Sequence, residues 1–105
     1  MTPNPGEVYL VDMGYEGKMR PVIIVSRTDA QAPRALSIVV PLTTQNRGSR
    51  YEVPLPKVPW LKHASVANVQ ALAAYEHHEL LEKRGRFEAS AMALVKDAIR
   101  WAMDL

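Results

Sequence analysis

From Glu7 to Val25 two short apolar runs stand on either side of a polar turn. Val8-Tyr9-Leu10-Val11 has strand length, and Val22-Ile23-Ile24-Val25 is β-branched throughout, so each reads as a strand, the first spanning Glu7 to Asp12. Gly14 and Gly17 punctuate the connection. Residues 27–35 are polar and predict a loop, and Leu36-Ser37-Ile38-Val39-Val40 predicts a third strand, ended by Pro41. A loop over residues 43–49 leads to a short strand around Tyr51-Glu52-Val53. Three prolines between Pro54 and Pro59 then rule out a helix or a central strand. The extended pattern resumes from Ser65 to about Ala74. A short helical turn is expected from His78 to Lys83, with Gly85 as its C-terminal stop.

The last segment has a different period. From Glu88 on, Ala91, Leu94, Val95, Ala98, Trp101, Ala102 and Leu105 recur at spacings of three and four, with Lys96, Asp97, Arg100 and Asp104 opposite, which predicts an amphipathic helix. Arg100 and Asp104 stand four apart and are expected to pair weakly. Met92, Ile99 and Met103 widen the apolar face, either for a second subunit or to cover the end of a barrel. The expected fold class is mainly β (α+β): a small curled antiparallel sheet or barrel with a short helix and a C-terminal amphipathic helix, in one domain over residues 1–105.

Composition narrows the chemistry. No cysteine occurs, which excludes disulfides, thiolate metal sites and a cysteine nucleophile. No apolar run reaches membrane-span length and Met1-Thr2-Pro3-Asn4-Pro5 lacks signal-peptide character, so a cytoplasmic location without membrane contact is expected. Residues 1–62 hold eight Lys or Arg against five Asp or Glu, whereas residues 63–105 hold five against six. The asymmetry is mild and permits a polyanionic partner for the first part.

Arg20-Pro21 at the head of the second strand is the most informative dipeptide. Proline keeps the residue before it extended and donates no backbone N–H, so it suits the first position of a strand and holds Arg20 at the strand mouth. A planar guanidinium that keeps its charge suits a phosphate there, although a surface arginine beside a turn proline reads equally well from this segment alone.

Further segments share a pattern with this one in order and spacing: Val40-Pro41-Leu42-Thr43-Thr44-Gln45, Arg47-Gly48-Ser49-Arg50-Tyr51-Glu52-Val53 and Ser65-Val66-Ala67-Asn68-Val69-Gln70. With the Gly85 turn and the terminal helix, they resemble the MazF/PemK family of toxin endoribonucleases from toxin–antitoxin pairs, over Gly6 to Leu105. The resemblance implies an SH3-like β-barrel of the CcdB/PemK kind, a homodimer, metal-independent cleavage of single-stranded RNA (messenger RNA) with no cofactor, and an antitoxin that blocks the RNA groove. Cleavage without a metal uses the substrate's 2′-hydroxyl as nucleophile and needs a proton acceptor, charge stabilisation at phosphorus and a proton for the leaving oxygen.

By the same resemblance Arg20 matches the family's catalytic arginine and Thr43 its threonine after the third strand. Arginine is a poor proton donor, with a pKa above about 12, so Arg20 is expected to stabilise the phosphorane while the Thr43 hydroxyl bonds a phosphate oxygen. On the residues alone Thr43 is also a turn threonine bonding its own backbone. Asp12 matches an acidic position and could orient Arg20, touch a base or simply close a turn. The loop between the first two strands is shorter than in much of the family, which leaves Glu16 as the candidate general base. Lys18 and Arg50 are candidates for phosphate contacts or solvated charges, and Asn68 and Gln70 for reading base edges. Tyr15 and Trp60 could stack on unpaired bases or pack internally. His77 and His78 are adjacent, so on a helix they point about 100° apart and do not suggest a shared metal. His63 is an outside candidate for proton transfer. Two rivals remain from the residues: a non-nuclease barrel toxin that poisons a protein such as DNA gyrase, and an inactive module that binds RNA or protein.

Overall fold

In the computed structural model, which describes residues 1–14 and 17–105, β1 (Glu7–Asp12) and β2 (Met19–Ile24) pair antiparallel from Val8↔Ile23 to Asp12↔Met19. β3 (Leu36–Thr43) lies against β2 over Val22↔Pro41 to Ile24↔Val39. On its other side β3 changes partner along its length. Leu36 to Val39 pair with β6 (Ala73–Glu76), and Leu42 and Thr43 pair with β5 (Val66–Asn68). β4 (Glu52–Pro54) adds to β5, and β7 (Glu82–Arg86) adds to β1. The order is β4-β5-β3-β2-β1-β7, with β6 branching from β3, and α1 (Ala89–Ala102) closes the chain. The expected SH3-like antiparallel barrel with its terminal helix is thus present in barrel-like form, its sheet curled and not closed between β4 and β7 among the described residues.

Strand alternation sorts the sheet into two cores, because successive side chains point to opposite faces. Val8, Ile23 and Val40 share one row and join Leu42, Val53, Ala67 and Phe87 under Ala91, Met92 and Val95 of α1. Tyr9, Val11, Val22, Ile24 and Val39 face the other way and pack with Leu80.

Several boundaries differ from the sequence expectation. β2 begins at Met19, so Pro21 is inside the strand, opposite Leu10. It is tolerated because β2 gains its second neighbour only from Val22. β3 likewise runs through Pro41 to Thr43, with Pro41 at the step between partners β6 and β5, where a missing N–H costs no ladder bond. The extended stretch from Ser65 is broken by a 3₁₀ turn at Val69–Ala71, begun where the Asn68 side chain accepts the Gln70 N–H. The helical turn expected from His78 is a 3₁₀ turn at His77–Glu79, and Glu82 onward is β7, not helix.

Gly85 therefore does not stop a helix. It pairs with Val8 inside β7, where the Trp60 indole lies directly on its Cα and leaves no room for a Cβ. On α1 the buried face is Ala91, Met92 and Val95, continued by Ala98, Ile99 and Ala102, while Leu94, Met103 and Leu105 are exposed. Arg100 pairs with Asp97 at 2.7 Å, not with Asp104, which lies past the helix end with φ 56°.

Candidate nucleic-acid interface

Register brings the two principal candidates to one face. Arg20 is opposite Val11, and the β2–β3 pairs fix the alignment that continues past Val22↔Pro41 to set Thr43 across from Arg20. Opposed residues on neighbouring strands project from the same side of the sheet. Leu42 points into the core beneath α1, so Thr43 points away from it, as Arg20 does. Pro21 offers β3 no N–H, and the β2–β3 pairs stop at Val22↔Pro41, just before this pair, which leaves the rim open. Arg20 is half-buried, and among the described residues no ion pair involves it.

The same face continues from Thr43 across β5 to β4, through Thr43↔Val66 and Glu52↔Asn68. There a cleft of about 400 Å³ is lined by Thr43, Gln45, Arg47, Ser49, Tyr51, Glu52, Asn68 and Gln70. The structure thus brings Thr43, Asn68 and Gln70 into one polar depression. Thr43 Oγ1 accepts the Gln45 N–H at 3.1 Å, an ST-turn that leaves its own O–H free to donate. Asn68 Oδ1 is committed to the Gln70 N–H at 3.2 Å, so the NH₂ end of its amide is the end left for a ligand.

Other candidates lie elsewhere. Asp12 pairs with Met19, which places both on the face opposite Arg20, and its carboxylate closes a turn by accepting the Gly14 N–H at 2.8 Å. It does not orient Arg20. Lys18 is exposed in the β1–β2 turn, its carbonyl accepting the Met13 N–H. Arg50 is turned to the terminal helix, with its guanidinium 4.2 Å above the Trp101 ring, and Trp101 also packs on Tyr51 at 4.8 Å. Trp60 packs on Phe87 at 5.0 Å and on Gly85, an internal role. His77 is bonded to Ser37 at 3.0 Å and His78 to Glu76 at 3.1 Å. Tyr15 and Glu16, the expected stacking residue and general base, lie outside the described residues.

The loop wall of the cleft was not anticipated. Glu52 Oε2 accepts the Arg47 N–H at 3.0 Å, and Oε1 accepts the Ser49 N–H at 3.1 Å and the Ser49 hydroxyl at 2.8 Å. These bonds, that from Arg47 foremost, hold the Glu52 carboxyl below its ordinary value. Gly48 at φ +73° allows the two N–H groups to converge on one carboxylate. Ser49-Arg50-Tyr51-Glu52 has the S-x-x-E spacing of a reciprocal backbone lock, the signal from which this wall was legible.

A curled sheet with this rim and cleft is the architecture of a known class. The chain belongs to the PemK-like, MazF-like toxins of type II toxin–antitoxin systems, whose family model matches residues 4–103. It is 33% identical over 104 residues to the Mycobacterium tuberculosis protein called "Probable endoribonuclease MazF5", covering 97% of this chain and 94% of that one. Its structure matches a mycobacterial endoribonuclease solved in complex with its cognate antitoxin (TM-score 0.84, 27% identity, 98% and 96% of the two chains). It also matches the Mycobacterium tuberculosis toxin MazF-mt6 (TM-score 0.81, 28% identity, 94% and 97%).

Proposed function

We propose that this toxin is a metal-independent endoribonuclease that cuts single-stranded messenger RNA at the Arg20–Thr43 rim. The observation that supports the reading is that strand register puts Arg20 of β2 and Thr43 of β3 on one face of adjacent strands, with Thr43 lining a polar cleft that also holds Asn68 and Gln70. The substrate's 2′-oxygen attacks phosphorus and the bond to the 5′-oxygen breaks, leaving a 2′,3′-cyclic phosphate and a 5′-hydroxyl. The 2′-proton passes to a base, the role for which Glu16 is the candidate, and the protonated base then delivers a proton to the 5′-oxygen, so that no net proton is gained or lost. Arg20 stays protonated and meets the charge that grows on the phosphorane, where such a group is worth about 10²–10³ in rate. Thr43 donates its hydroxyl to a non-bridging oxygen, and the amides of Asn68 and Gln70 meet base edges.

The unit is one toxin domain over residues 1–105, acting in the cytoplasm as a homodimer restrained by a cognate antitoxin. No helix among the described residues is long and apolar enough to cross a membrane. The exposed Met103 and Leu105 border a depression lined also by Val25, Ile38 and Ile99, which supports the dimer. The test is incubation of purified protein with a long RNA of known sequence in EDTA. Cutting that is lost in Arg20→Ala, and at a site whose 2′-hydroxyl is removed, is the expected result. Cutting that survives Arg20→Ala, or that needs an added metal, rejects it.

A further inference from the structure

Arg47 is the only cation lining the cleft beside Thr43, and among the described residues no carboxylate lies within 4.0 Å of its guanidinium. The cleft's own carboxylate explains why. Both Glu52 oxygens are occupied by donors of the loop, one by the Arg47 backbone N–H and the other by Ser49. Glu52 therefore holds the backbone of Arg47 without capturing its side chain. The result is an exposed guanidinium fixed by its main chain at the mouth of a polar cleft, on the side of Thr43 away from Arg20.

We propose that Arg47 binds a second phosphate of the substrate strand, next to the one at Arg20 and Thr43, and that Glu52 is the positioning residue that sets it there. The inference rests on the endoribonuclease reading, since it extends the same RNA path by one contact. A single strand crossing Arg20, Thr43 and the cleft presents successive phosphates, and a guanidinium with no ion-pair partner among the described residues is suited to take one in a bidentate grip.

The experiment measures binding of a fluorescein-labelled RNA that carries the mapped cut sequence and a 2′-O-methyl group at the cut nucleotide, by anisotropy over a range of NaCl. Arg47→Ala is expected to weaken binding on the order of tenfold and to lower the log–log salt slope by about 0.7, the share of one phosphate on a single strand. Arg47→Lys is expected to restore the slope. Glu52→Gln is expected to raise KM several-fold with kcat retained, and to add little in the Arg47→Ala background, a coupling that general loosening would not produce. Wild type that binds, with an unchanged slope in Arg47→Ala, overturns the Arg47 assignment and leaves the enzyme reading intact. Additive losses in the double variant overturn the role of Glu52. Wild type that neither binds nor cuts RNA overturns both readings.

Discussion

Two carboxylates organise opposite sides of the sheet in different surroundings. Glu7, on β1 beside the edge strand β7, is buried. Its Oε1 accepts the Asn4 N–H at 2.8 Å and the Tyr9 hydroxyl at 3.2 Å, and its Oε2 accepts Lys83 Nζ at 2.7 Å. Burial pushes its carboxyl up, but the bonds from Lys83 and Asn4 and the Lys83 charge outweigh burial and hold it below the ordinary value. Burial and the neighbouring Glu7 charge push the Tyr9 hydroxyl up. Glu52, on the edge strand β4, takes three bonds in contact with water. A buried acceptor that loses its donors leaves polar groups stranded, whereas an exposed one hands them to water. One device therefore serves stability at the β7 side and geometry at the cleft.

The comparison breaks first at Gly85. A methyl group there overlaps the Trp60 indole, which is wedged edge-on against Phe87 and cannot easily yield. Gly85→Ala is expected to cost about 2–3 kcal/mol in urea unfolding, as overpacking does. A change within about 0.5 kcal/mol, the range of ordinary surface substitutions, would falsify the tight β7 side. Next comes Glu7→Gln, expected to cost about 1–2 kcal/mol at neutral pH. A fully buried pair would cost more, but Lys83 is half exposed and water screens it. RNA cleavage well below the melting temperature should be unchanged.

Acid sharpens the same contrast. Glu7 has a folded-state pKa below its ordinary 4.5, so its charge favours the folded state throughout the range above 4.5. That contribution is lost as pH falls through the lowered value. The melting-temperature gap between wild type and Glu7→Gln should be constant from neutrality to 4.5 and then shrink on further acidification. A gap that widens in acid would mean that the carboxylate is not the stabilising form.

How much of this was legible varies with the kind of signal. Apolar runs located β1, β2 and the terminal helix because each buries a continuous face. The extension of β2 and β3 through Pro21 and Pro41 was hidden, since it depends on which neighbours a strand lacks at those residues. Gly85 carried the wrong meaning for a similar reason: its partner Trp60 is distant in sequence. Leu94 fits the helical period yet is exposed, because the sheet reaches only the Met92 side of α1. At the rim, Arg20 and Thr43 stood out through local context and resemblance, and strand register supplied their common face. Asp12 looked suitable by proximity to Arg20, but a one-residue offset in a strand turns a side chain to the other face. Arg47 and Glu52 were not singled out, because their relation is a loop closure whose only local trace is Ser49-x-x-Glu52.

The smallest effect is the most selective. Glu52→Gln should leave the melting temperature nearly unchanged, because its loop contacts are solvent-accessible and no buried group is stranded. The loop itself should loosen. Glutamine keeps one acceptor oxygen, so the converging N–H groups of Arg47 and Ser49 and the Ser49 hydroxyl cannot all be satisfied as before. Trypsin cuts after arginine, and Arg47 and Arg50 flank the loosened segment, so limited digestion after these two residues should accelerate several-fold, following the population of open loop. Glu7→Gln should accelerate digestion at all sites together, through global unfolding. If Glu52→Gln instead lowers the melting temperature as much as Glu7→Gln, or leaves cutting after Arg47 and Arg50 at the wild-type rate, the division between a stabilising edge and a shaping edge fails.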